Sequence, residues 1–233
     1  MIDVFTKKKS NTCKINRKFK NQTCVELEPL LIVFAKAPLL GKVKSRLAAD
    51  LGNEKTLWVY RQLVAKTERI IQQSRLKSVL FYTGGAPEDF DCYFKTLKKI
   101  PQSGADLGER MSAAFQWGFA QGHSKIIALG TDLWDLDQAT LNDALHALDR
   151  ADVVLGPAKD GGYYLLGLKK FYPKVFLNKQ WGGPNVLHDT LNDLEDKPIA
   201  LLEEKSDIDF YKDLSLYPEL LDRMNAYFDE RKN

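Results

Sequence analysis

The sequence predicts an α/β fold of three layers, with helices on both faces of a mostly parallel central sheet. Two observations carry that prediction. Short apolar runs alternate with longer amphipathic segments, from "LLIVFAK" at 30–36 to "PIALLE" at 198–203, and this alternation builds layered α/β folds. The runs are apolar throughout rather than at every second position, so they are buried on both faces, as strands of a helix-covered parallel sheet are. A length of 233 residues is enough for one large α/β domain or two small ones.

The elements follow in order. Leu31 to Ala35 are apolar or small and make the core of the first strand. A helix is expected over about 54–74, where Leu57, Tyr60, Leu63, Val64, Ile70 and Ile71 share one face. "KSVLFYT" (77–83) is the second strand, closed by Gly84-Gly85, and residues 88–99 read as a helix. "ADLGERMSAAFQWGFAQG" is a further helix: Asp106 is its N-cap, Glu109 follows three residues on, and Leu107, Met111, Ala114, Phe115 and Phe119 form its stripe. "KIIALG" (125–130) is a third buried strand, before a helix at about 137–149 with Leu141, Ala144, Leu145 and Leu148 inward. "ADVVLGP" and "YYLLGL" are strands flanking "AKDGG". Pro184 opens a helix with Val186, Leu187, Leu191 and Leu194; "PIALLE" is the last strand; a helix at about 216–231 carries Leu220, Leu221, Met224 and Phe228.

The net charge of +3 is unevenly placed. Residues 1–28 hold seven Lys/Arg and three Asp/Glu, so the remaining residues, with 27 basic and 28 acidic groups, are near neutral. No nucleic-acid partner is expected for that body. The lysine-rich 1–28 segment reads as a poorly ordered extension, the alternative being a partner-binding arm. No run approaches the ~20 apolar residues of a membrane helix, and no apolar stretch follows the first lysines as in a secretory signal. Cys13, Cys24 and Cys92 make no CxxC or zinc pattern. A reduced, cytoplasmic setting is expected, with a Cys13–Cys24 disulfide left open.

Ligands of parallel sheets bind beyond the carboxyl ends of the strands, so the residues after each strand are the candidates. After the first strand, Lys36, Lys42, Lys44 and Arg46 place four cations within eleven positions, broken by Pro38 and Gly41. After "KIIALG" comes Thr131-Asp132, with Asp135 and Asp137 close behind. After "VVLGP" comes Asp160-Gly161-Gly162, and after "PIALLE" come Asp207 and Asp209. Cations at one strand end and carboxylates at three others suit a polyphosphate held with a divalent metal. Lys and Arg neutralise phosphate oxygens, and Mg2+ or Mn2+ takes carboxylate and phosphate oxygens together.

Each feature also has a plainer account. A lysine-rich loop is often only solvated. Asp132 or Asp209 could cap a helix, and Asp-Gly is a strong turn signal. None of these explains why all four sets fall at strand ends. Competing chemistry lacks support: there is no GxGxxG after the first strand, no GxxxxGK[ST] and no GxSxG, and His123, His146 and His188 are scattered. Trp58, Trp117 and Trp134 read as core or near-core, whereas Trp181, in "KQWGGP", is placed to line a cleft.

"VFAKAPLLGKVKSRLA", "GADLGERM", "LGTDLWDL", "GPAKDGGYYLLGL" and "SDIDFYKDL" together resemble the bacterial selenodomain-associated transferases. These are glycosyltransferase-A-like proteins of the nucleotide-diphospho-sugar transferase superfamily. The "KSRL" stretch is also similar to 2-phospho-lactate guanylyltransferases. The resemblance covers about residues 30–215. It implies a single Rossmann-like GT-A domain over 29–233 that binds a nucleotide and a divalent metal. It assigns nucleotide binding to Lys36, Gly41, Lys42, Lys44 and Arg46, with Asp106 and Arg110 near the base or ribose. Metal binding falls to Asp132 and Asp209, with Asp207 as the alternative to the latter. Asp160, Gly161, Gly162, Tyr163 and Trp181 fall on the acceptor side. The family often has Cys-Pro after the central Asp; here Leu133-Trp134 stands there, and the tryptophan is expected to add bulk at the cleft floor.

The expected activity is a metal-dependent transfer from a nucleotide or nucleotide-sugar donor to a small-molecule acceptor. In glycosyl transfer, ranked first, Lys44 and Arg46 hold the departing nucleoside diphosphate and Asp160 serves as base. In nucleotidyl transfer, an acceptor phosphate attacks the α-phosphorus and pyrophosphate leaves. A nucleotide-binding module without catalysis is the third reading.

Overall fold

A computed structural model describes residues 28–232 of the chain. Most of the 1–28 extension, with Cys13 and Cys24, lies outside the described residues. Seven strands form one sheet in the order β3-β2-β1-β4-β6-β5-β7. They are β1 (Leu30–Lys36), β2 (Lys77–Thr83), β3 (Lys98–Pro101), β4 (Ile126–Leu129), β5 (Val153–Pro157), β6 (Tyr163–Leu168) and β7 (Ile199–Leu201). β6 runs antiparallel to both its neighbours and the other pairings are parallel, so the sheet is mostly parallel as expected.

The helices are α1 (Ser45–Leu51), α2 (Asn53–Ser74), α3 (Leu107–Ala120), α4 (Gln138–Arg150), α5 (Val186–Asp193), α6 (Tyr211–Leu214) and α7 (Pro218–Asp229). Side chains alternate across a strand, and β1 shows the outcome. Leu31, Val33 and Ala35 join the core beneath α2 and α4, while Leu30 and Ile32 join the core beneath α3 and α5. Asp106 caps α3 as expected, accepting from the Glu109 N–H at 2.8 Å. A third cluster joins Leu47 of α1 and Leu63 of α2 to Leu214, Leu220 and Met224 near the C-terminus.

The segment 88–99 departs from expectation. Phe90 and Phe94, four residues apart, imitate a helical stripe, and both are fully buried. The chain makes only a single 3-10 turn at Pro87–Phe90 and then edge strand β3. Phe94 adopts φ 52°, which no right-handed helix accommodates, and its N–H donates to Glu68 Oε1 at 2.6 Å. Three elements are additional to those expected: α1, seven residues long inside the basic stretch, a 3-10 turn at Pro173–Phe176, and the one-turn α6.

Candidate functional site

β1 is flanked by β2 on one side and β4 on the other, so the connections leaving β1 and β4 diverge. A crevice opens at such a switch point beyond the carboxyl ends of the strands. The loop from Ala37 to Lys44 fills one side of it and the loop after β4, with Thr131 and Asp132, the other.

Lys44 ends the first loop in the left-handed region, φ 47° and ψ 52°, a costly conformation for a side chain with a Cβ. That turn aims its side chain inward, where it is 6% exposed. Its Nζ lies 2.5 Å from Asp132 Oδ1 and 2.7 Å from Asp209 Oδ1. Burial works against its charge, but the two carboxylates outweigh burial and hold the ammonium above its ordinary pKa. Arg46, 58% exposed, has Nη1 3.5 Å from Asp209 Oδ2, with its guanidinium 5.4 Å from the centre of the Phe210 ring.

Asp207 and Asp209 arrive on the segment after β7, which crosses the carboxyl ends of β5 and β4. Lys205 bridges to Ala158, Asp207 bridges to Leu133, and the Ile208 N–H donates to the Asp132 carbonyl at 3.0 Å. Asp209 is not a cap: Asp213 Oδ2 accepts from the Asp209 and Phe210 N–H groups at the start of α6. Nor is Asp132, since Asp137 caps α4 through the Thr140 N–H and hydroxyl. With capping done by others, both side chains are free for the crevice. Burial first, and the Asp132 carboxylate second, push the Asp207 carboxyl up to about 7.

Tyr60 ties the two loops together. Its hydroxyl donates to the Lys36 carbonyl at 2.8 Å, accepts from the Lys36 N–H at 3.0 Å and lies 3.3 Å from Thr131 Oγ1. Burial, with Asp132 behind it, pushes this phenol up to about 12.

Opposite, the β5–β6 hairpin turns through Asp160-Gly161-Gly162. Asp160 Oδ1 accepts from the Gly162 N–H at 2.9 Å, so the turn reading holds. Gly161 has φ +89°, and a Cβ there would stand 1.9 Å from the Pro184 carbonyl oxygen. Its own carbonyl accepts from the Leu187 N–H at 2.9 Å, which fixes the start of α5 and the preceding loop carrying Trp181.

Two cavities result. One, of about 330 Å³, is lined by Lys36, Lys44, Arg46, Asp132 and Asp209 together with Tyr60, Thr83 and Gln102. The other, of about 250 Å³, is lined by Asp132, Asp160, Gly162, Tyr163, Trp181 and Asp207 among apolar neighbours. Phe34, Leu107 and Asp132 belong to both walls.

Five of the residues singled out from sequence stand off both walls. Gly41 (φ +70°) shapes the loop and Lys42 is exposed beside it. Asp106 is occupied as a helix cap, Arg110 Nε donates to the Gly104 carbonyl, and Gly161 packs on Pro184. Trp134 does not reach the cleft floor: its Nε1 donates to Glu219 Oε1 at 2.6 Å, and Lys66 and Arg223 flank its ring. Leu133 takes the place at the wall. Tyr60, Thr83 and Gln102 carried no sequence signal as wall residues. Tyr60 sat on an apolar stripe, and Gln102 follows a short strand that starts within the end of a false helix.

The donor chemistry fits a hard divalent cation. Asp132 and Asp209 direct oxygens at one point, now held by the Lys44 ammonium, and their side chains are 41% and 38% exposed toward the crevice. Among the described residues no three His, Cys, Asp or Glu side chains converge as a complete ligand set. A cation here would take its remaining oxygens from a ligand, as Mg2+ commonly does.

Comparison with known proteins agrees with this architecture. No curated protein matches the chain. A crystal structure of a proposed nucleotide-diphospho-sugar transferase from Desulfovibrio desulfuricans G20 shares 32% identity with a TM-score of 0.76, over 80% of this chain and 84% of that one. The manganese complex of Rv0371c from Mycobacterium tuberculosis H37Rv shares the fold at 14% identity and TM-score 0.54, over 84% and 99% of the two chains. So does a proposed glucose-1-phosphate thymidylyltransferase from Bacillus anthracis, at 13% and 0.51, over 85% and 94%. The model of one bacterial family matches residues 66–183, from within α2 through both carboxylate-bearing loops of β4 and the hairpin. The chain belongs to that family, described as "Uncharacterized protein conserved in bacteria (DUF2064)".

Proposed function

We propose that the protein is a metal-dependent transferase using a nucleotide-activated donor, and that it transfers a glycosyl group to a small-molecule acceptor. One observation carries the reading: Lys44, Asp132 and Asp209, drawn from three distant parts of the chain, meet at a single point on the wall of the larger cavity, and Asp132 also lines the smaller one. A cationic cavity beside a carboxylate pair suits a nucleoside diphosphate, and the second cavity leaves room for an acceptor. The 32%-identical relative named as a proposed nucleotide-diphospho-sugar transferase supports the same class. "GKVKSRLA" and "DGGYYLLGL" support a place among the selenodomain-associated transferases, with residues 29–233 acting as one transferase domain.

In this reading Lys36, Lys44 and Arg46 bind the phosphates. A divalent cation at Asp132 and Asp209 would stabilise charge on the leaving phosphate. Asp160 or Asp207 takes the acceptor proton while the acceptor oxygen bonds to the sugar carbon. The bond from that carbon to the phosphate oxygen breaks, and its electron pair leaves on the nucleoside diphosphate. The same site would serve nucleotidyl transfer if an acceptor phosphate attacked the α-phosphorus. Incubating the full chain with a panel of nucleotide sugars, nucleoside triphosphates and Mg2+ or Mn2+ tests both. Nucleoside diphosphate release is expected; pyrophosphate release would assign nucleotidyl transfer, and binding without turnover would leave a nucleotide-binding module.

A further inference from the structure

Resting on the transferase reading, we infer that the acceptor presents hydroxyl or amino groups, and neither phosphate nor carboxylate, to the cavity beneath the β5–β6 hairpin. The two adjoining cavities differ in charge: cations outnumber carboxylates in one, and only carboxylates are charged among the described residues of the other. The larger is lined by three cations, Lys36, Lys44 and Arg46, against two carboxylates, Asp132 and Asp209. The smaller is lined by three carboxylates, Asp132, Asp160 and Asp207, and by no Lys, Arg or His among the described residues. The Asp132–Asp209 pair accounts for a cation at the wall of the larger cavity. Asp160 and Asp207 are left over from that arrangement.

Asp160 spends one oxygen on the Gly162 N–H and keeps Oδ2. Asp207 is held by backbone pairing with Leu133, and no described lysine or arginine stands within ion-pair distance of it. A phosphate entering this space would meet carboxylates with no described cation on the wall to offset them, and repulsion opposes its binding. A hydroxyl or ammonium donor would instead satisfy the carboxylate oxygens. The remaining wall is apolar, with Trp181 and Tyr163 set edge to face at 6.5 Å and Met111 and Val186 beside them. A volume of about 250 Å³ lies below the usual range for drug-sized ligands, so one ring-sized group fits. The geometry therefore favours transfer to a hydroxyl or amine over transfer to a phosphate.

Saturation-transfer NMR on the full chain tests this with three probes of one shape: methyl glucoside, glucosamine and glucose 1-phosphate. Mg2+ and inorganic pyrophosphate are present throughout to fill the cationic cavity. Methyl glucoside and glucosamine are expected to bind, and to lose their signal in Trp181→Ala. Glucose 1-phosphate is expected to bind at least about tenfold more weakly. Replacing Asp160→Asn and Asp207→Asn together should bring the neutral and phosphorylated sugars within about threefold of each other. If that double variant does not fold, the wild-type comparison still decides. Glucose 1-phosphate binding as well as methyl glucoside, or none of the three contacting the Trp181 cavity, overturns the inference. Failure of pyrophosphate to bind with Mg2+ is a separate outcome: it overturns the transferase reading, and the Trp181-dependent signals still decide the charge of the acceptor.

Discussion

Lys44 holds a left-handed backbone conformation and buries an ammonium between two aspartates, so its backbone and its side chain can be separated by substitution. Lys44→Gly and Lys44→Ala both remove the cation and should weaken nucleotide binding alike, by about 1.5–3 kcal/mol for a lost charge-assisted contact. Only glycine relieves the φ 47° strain, so Lys44→Gly should be more stable than Lys44→Ala by about 1 kcal/mol in urea unfolding. Equal stabilities would show that the turn is unstrained. The aspartates are more than a third exposed, so solvent screens the charges left behind and limits the stability loss of either variant. Tyr60 makes a second residue-level case. Tyr60→Phe strips partners from the N–H and C=O of Lys36 and should cost about 1–3 kcal/mol, read as a lower urea midpoint at unchanged m-value. Sequence periodicity placed Tyr60 in the core correctly, but a stripe of apolar spacing does not reveal which hydroxyl within it meets a loop.

Among the elements, the strands whose apolar runs are unbroken were legible, because burial on both faces leaves little else to choose. β1, β2, β4, β5 and β6 lie within a residue or two of their expected bounds. The 88–99 segment was not, because two phenylalanines at helical spacing can equally be anchors for a loop. Short α1 and α6 carry too few residues to show a period. The β5–β6 hairpin yields an element-scale prediction. Gly161→Ala introduces a Cβ 1.9 Å from the Pro184 carbonyl oxygen, at φ +89°, so the hairpin or the start of α5 must shift. Strain of about 1–3 kcal/mol from the backbone alone, with the clash added, should lower the unfolding midpoint. It should also alter the Trp181 environment, seen as a changed emission spectrum in the folded state. An unchanged spectrum would mean that the hairpin does not position that loop.

For the whole molecule, the division of charge is the organising property. Cations come from the loop after β1, while carboxylates come from the β4 loop, the hairpin and the segment after β7. The strand-end rule made that division readable from sequence, since it depends on topology and not on side-chain detail. The wall residues Tyr60, Thr83 and Gln102 escaped it because they are ordinary residues whose role comes from their neighbours. Carboxylates in excess of their cations predict a response to divalent metal. Mg2+ with pyrophosphate should raise the melting temperature of the full chain, by the equivalent of about 2.7 kcal/mol at a hundredfold excess over Kd, and EDTA should reverse it. Asp132→Asn should abolish the metal-dependent part of the shift; a full response in that variant would remove Asp132 from the cation site.

The backbone bridges that lay residues 205–208 across the carboxyl ends of β5 and β4 have a consequence for biosynthesis. A chain emerging from the ribosome presents the cations of the β1 loop well over a hundred residues before Asp209. A nascent chain that stops short of β7 therefore exposes a cationic loop with half of its acidic counterpart missing. Competence for a metal-nucleotide ligand should then appear abruptly once the segment after β7 has left the exit tunnel, so arrested chains of graded length would report the moment at which that segment docks.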